Sequence, residues 1–92
     1  MTSIFYARAK RVQSLKPFAK FVLVVIAKES NDLGETGLLT TRYIAETTCL
    51  SVQCVRAHIK ELIALGMLER EKSSKTLYKF KVKLAAEDGE NV

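Results

Sequence analysis

The stretch LLTTRYIAETTCLSVQCVRAHIKELIALGML, residues 38–68, holds two helix signals joined by a tight connection, followed by a change of period. Thr40 suits an N-cap, and Ile44 with Ala45 turned inward predicts a short helix of about two turns. Leu50 is an apolar residue in the connection, and Ser51 is a second good N-cap. Val55, Ile59, Leu62 and Leu65 then recur at helical spacing until Gly66 stops the pattern. A longer helix over 51–65 is the expectation.

Beyond Gly66 the period becomes two. Leu68, Arg70 and Lys72 alternate with Met67, Glu69 and Glu71; after KSSK, Tyr78, Phe80, Val82 and Leu84 face one way and Lys75, Lys79, Lys81 and Lys83 the other. This predicts a two-stranded hairpin with a basic outer face.

Upstream, Pro17 introduces FAKFVLVVIAKESND, an apolar run that must be buried on several sides. Val and Ile favour a strand, but the stretch from Pro17 to Asn31 exceeds a usual strand of about 5–6 residues, so it reads as a helix with Lys20 and Lys28 on a solvated stripe. NDLGETG is a loop, after which Leu38 and Leu39 could add one short strand. Residues 1–13 read as a basic arm or short helix, 14–84 as the domain, and 85–92 (AAEDGENV) as a disordered acidic tail.

The chain of 92 residues fits one small domain. Its longest apolar run, Phe21 to Ala27, makes roughly 10 Å of helix against a hydrocarbon layer of about 30 Å, so it cannot span a bilayer. MTSIFYARAK lacks an apolar signal core, which points to the cytoplasm, where both cysteines stay reduced. The net charge is +5, and without EDGENV fifteen basic residues face seven acidic ones, a body near +8 that attracts polyanions.

Helix, short helix, sharp turn, longer helix and basic hairpin, in that order, make an α+β winged helix-turn-helix with a three-helix core. The motifs SLKPFAKFVLVVIA, LLTTRYIAETTCLS and CVRAHIKELIALGML resemble the winged-helix domains of bacterial, phage and plasmid DNA-binding proteins, especially replication initiators and GntR-like regulators. The resemblance covers 14–84 and rests on Ile44-Ala45, Leu50-Ser51, Val55, Ile59, Leu62 and Gly66. It implies a non-catalytic, sequence-specific binder of double-stranded DNA, a transcriptional regulator or the DNA-binding part of an initiator.

Val55, Ile59 and Leu62 would brace the 51–65 helix, leaving Val52, Gln53, Arg56, Ala57 and Lys60 facing outward into a major groove. Arg56 can donate twice to guanine and Gln53 can pair with adenine; Val52 and Lys60 complete the base-facing set, although Lys60 is also placed to meet phosphate. Thr40, Thr41, Arg42 and Ser51 at helix starts are candidates for phosphate. Lys72, Ser73, Ser74 and Lys75 at the tip of the 70–77 wing are candidates for adjacent groove or backbone. The same residues are also what any solvated helix face carries, and Lys79, Lys81 and Lys83 can equally serve to blunt a sheet edge.

Cys54 and His58 share one helical face, but a structural zinc site needs four ligands and the only other Cys or His is Cys49. The five-residue Cys49–Cys54 spacing is not that of a thioredoxin-like redox pair. In the family pattern Cys49 stands where the turn usually has Gly. It is therefore expected in a left-handed conformation, with Cys54 and His58 as half-buried packing residues. No cofactor and no catalytic constellation of base with nucleophile is present. The rival reading is a protein-interaction module using an apolar outer surface of the 51–65 helix, formed by Val52, Ala57 and Ile63. A homodimer through SIFY and the Pro17 helix is a further expectation, since winged helices often read two half-sites.

Overall fold

The structure, a computed structural model, describes residues 4–84; the expected acidic tail, 85–92, lies outside them. Four helices and a three-stranded antiparallel sheet enclose one core: α1 (Ile4–Arg11), α2 (Pro17–Lys28), β1 (Leu39–Thr40), α3 (Thr41–Thr48), α4 (Val52–Ala64), β2 (Leu68–Lys72) and β3 (Leu77–Val82). The layout is α+β: α1 is the helical alternative expected for residues 1–13, and β1 is the short strand expected near Leu38 and Leu39, beside three further helices and the two-stranded hairpin.

Helix α2 is central. Pro17 lacks an N–H where the first helical turn has no partner for one, and the helix buries Ala19, Val22, Leu23, Val25, Ile26 and Ala27. It stops at Lys28, three residues before the expected end, because Ser30 leaves the helix. Its hydroxyl donates to Ala27 O (2.6 Å), and its backbone pairs with Thr36. The N-terminal segment is not a free arm: Ala9 and Val12 are buried in the common core, and Arg8 Nη1 donates to Leu84 O at 2.9 Å. Of the SIFY residues, Phe5 packs against the core while Ile4 is exposed.

The loop after α2 is tied by Asn31, whose Oδ1 accepts from the N–H of Leu33 (2.9 Å) and Glu35 (3.0 Å). Gly34 turns within it at φ 82°. Thr36 then joins β3, its N–H donating to Phe80 O and its hydroxyl accepting from Phe80 N–H at 3.0 Å. Further on, Leu39 pairs with Tyr78 and Thr40 with Leu77, so β1 extends the hairpin into a sheet ordered β1-β3-β2.

Both predicted N-caps form. Thr40 Oγ1 accepts from Tyr43 N–H (2.9 Å), and Ser51 Oγ accepts from Cys54 N–H (3.1 Å). Helix α3 ends at Cys49, which adopts φ 60° and ψ 29°, the left-handed region. Its side chain is exposed, so no packing compensates. Replacing Cys49 by Gly is therefore expected to raise stability by about 0.5–1 kcal/mol: roughly 1–2 kcal/mol of left-handed strain is relieved against roughly 0.5–1 kcal/mol of added unfolded-chain entropy. The urea midpoint should rise with an unchanged slope, and a lower midpoint would refute it.

Candidate nucleic-acid interface

Val55, Ile59 and Leu62 are buried, which fixes the rotation of α4 and leaves Gln53, Arg56, Ala57 and Lys60 exposed. Val52, at the first turn, is half-buried against the core. Thr40, Thr41, Arg42, Val52, Arg56 and Thr76 line one cleft of about 310 Å³. The start of α3, the first turns of α4 and, from farther along the chain, the hairpin tip thus meet at a cleft lined by two arginines.

The hydroxyls of Thr40 and Ser51 spend a lone pair on capping but keep their protons, so each can still donate to an anion beside free helix N–H groups. Arg42 holds Glu46 through Nε at 3.2 Å, an exposed i,i+4 pair of small energetic value. Thr41 differs from the expectation. It is 6% exposed, so it lines the floor of the cleft instead of presenting an open hydroxyl.

At the hairpin tip Lys72, Ser73, Ser74 and Lys75 are all exposed. The turn is held by Ser73 and Ser74 N–H groups donating to Leu77 O (2.9 and 3.2 Å) and by Leu77 N–H donating to Ser74 Oγ (3.2 Å). Thr76, absent from the candidates, is the tip residue that reaches the cleft. No periodic signal marks it, because its place depends on the pairing of Lys72 with Tyr78.

The outer face of the hairpin is not uniformly basic. Register places Glu69 opposite Lys81 and Glu71 opposite Lys79, Lys83 Nζ lies 3.1 Å from Glu69 Oε2, and a backbone β-bridge sets Glu35 beside Lys81. Opposite charges facing across strands stabilise the sheet and cancel the field that a row of lysines would project. A larger depression of about 650 Å³ is lined by these facing charges together with Ile63, Arg70 and Phe80. Arg70 is on the other face, stacked 5.3 Å from the centre of the Tyr78 ring.

Cys54 is exposed, not half-buried as expected, because Val55 takes the inward position beside it. His58 is half-buried and its Nδ1 lies 3.3 Å from Glu61 Oε1. Among the described residues no group of three or more His, Cys, Asp or Glu is placed to hold a metal ion, and no helix is long and apolar enough to cross a membrane. The expected apolar outer surface of α4 also shrinks. Val52 and Ile63 both pack partly against the core, leaving Ala57 open. No family model, no curated protein and no solved structure matches the chain.

Proposed function

We propose that this chain is a winged helix-turn-helix protein that binds duplex DNA sequence-specifically without catalysis, as a small transcriptional regulator or the DNA-binding part of a replication initiator. The observation that carries this reading is the single cleft where α3, α4 and the hairpin tip meet, with Arg42 and Arg56 in its lining. A helix fits a major groove, and the exposed side of α4 offers Gln53, Arg56 and Lys60 to base edges while half-buried Val52 sits at the rim. Thr40, Arg42 and Ser51 would fix register on one phosphate run. Lys72 and Lys75 would hold the neighbouring backbone, with Thr76 between the two.

The charge near +8 on residues 1–86 supplies attraction that does not depend on sequence, and each phosphate neutralised adds about 0.9 to the slope of log K against log salt. Selection of bound duplexes from a random pool at two salt concentrations tests the proposal. One consensus should emerge and sharpen at the higher salt. Retention without a consensus, confined to low salt, would leave only charge-driven binding, and no retention at either would overturn the reading.

A further inference from the structure

Helix α2 buries one side in the core, yet its outer side is not the lysine stripe of a solvated helix. Pro17, Phe21, Val24 and Lys28 fall at i, i+4, i+7 and i+11, with Phe18 and Lys20 alongside. Phe18 is 61% exposed and Phe21 43%, and Val24 is half-buried. Neither phenylalanine belongs to the cleft proposed for DNA. Two protruding aromatic rings one turn apart add little to the fold and are the kind of surface that marks a binding site.

The charges on the helix itself share one sign. Residues 1–28 contain six Lys or Arg and no Asp or Glu. The first acid, Glu29, closes the stripe and accepts from the Tyr43 hydroxyl at 3.3 Å. The outer side of α2 is therefore a ridge one helix wide, apolar at Phe18, Phe21 and Val24, with Lys20 along one side and Lys16 and Lys28 at its two ends.

We propose that this ridge docks an amphipathic helix of a partner protein, one with an apolar seam flanked by Glu and Asp. The i, i+4, i+7, i+11 spacing is the heptad seam along which two helices pack, and Lys20 beside it with Lys16 and Lys28 at its ends stand where opposite charges select a partner. A second copy of this chain fits poorly, since it would set Lys16, Lys20 and Lys28 against their own counterparts. A duplex satisfies the lysines but leaves both phenylalanines in water. An acid-flanked helix satisfies both features.

The isotope-labelled full chain, titrated with a synthetic helical peptide carrying a leucine seam and glutamate flanks, tests this. Its lysine-flanked counterpart and vesicles of phosphatidylcholine with phosphatidylglycerol serve as the other arms. The glutamate peptide should shift amides of 18–28 saturably. The exposed-site pair Phe18→Ser with Phe21→Ser should weaken it by at least about tenfold, the scale of an aromatic anchor, and leave duplex affinity unchanged. Lys20→Glu with Lys28→Glu should switch preference to the lysine peptide. Equal response to both peptides, shifts centred on α4, capture by vesicles alone, or self-association through Phe18 and Phe21 would each overturn the proposal. Because the peptide arm contains no DNA, its outcome is independent of whether the duplex reading survives.

Discussion

A Gly34→Ala chain is expected to lose about 2–5 kcal/mol of folding stability, a fall in melting temperature of about 10–30 °C for a domain of this size. Gly34 sits at φ 82°, and a Cβ there would lie 2.5 Å from the backbone oxygen of Val82 and 3.3 Å from the Phe5 ring. Left-handed strain accounts for roughly 1–2 kcal/mol of the loss. The rest comes from pushing apart a backbone contact that Val82 N–H makes with Gly34 O at 2.7 Å, where β3 and the loop have no slack. Two other glycines separate the causes. Gly66 has φ 76° but nothing within 4 Å of an added Cβ, so Gly66→Ala should cost about the strain alone. Gly37 has open space and no positive φ, so Gly37→Ala should be near neutral. Thermal unfolding followed by circular dichroism should rank the three in that order; Gly34→Ala melting beside Gly37→Ala would refute the account.

What the sequence made legible was local. Thr40 and Ser51 cap the helices they precede, Pro17 opens α2, and Gly66 ends the α4 turn, because each effect is decided within a few residues of the chain. The left-handed turn residue was accessible only through the family resemblance, since nothing about a cysteine itself suggests φ 60°. What stayed hidden depends on contacts far apart in sequence. The early end of α2 is set by Ser30 pairing with Thr36, and the partner of the expected short strand by Leu39 meeting Tyr78. The burial of Ala9 and Val12 needs the rest of the core to exist first.

The candidate site divides along the same line. Helical periodicity suffices to place Gln53, Arg56 and Lys60 outward, because three buried positions fix the rotation of α4. Alternation along β3 correctly turns Lys79, Lys81 and Lys83 outward, but the acids that neutralise them sit on β2 and are placed by hairpin register, which alternation alone does not specify. Thr41 looked like a phosphate ligand by type and position, yet its rotation on α3 carries it to the cleft floor. On α2 the run is apolar nearly all round, so periodicity could not say which apolar residues remain outside. The answer, Phe18 and Phe21, is set by where α1, α3 and α4 pack.

The largest functional effect is expected at Arg56. Under the duplex-binding proposal its guanidinium is the group best able to make a planar, two-bond contact with a guanine edge, and Arg56→Ala should cost about 1–3 kcal/mol on the selected consensus while costing much less on random duplex. Its discrimination should collapse at one base position, because a single bidentate pair reads a single base. Lys75, exposed at the hairpin tip, is a point charge on a flexible stem. Lys75→Ala should instead weaken every duplex alike and lower the salt slope by about 1. Arg42 gives a third pattern. It belongs to the cleft but is held near Glu46, so Arg42→Ala should also act on all sequences, with a salt-slope change like that of Lys75. Titrations of the three variants on consensus and random duplexes at several salt concentrations distinguish these outcomes. If Arg56→Ala lowered both affinities equally, Arg56 would be a phosphate contact in the cleft it shares with Arg42, and base reading would have to come from Gln53 and Lys60 on the neighbouring turns.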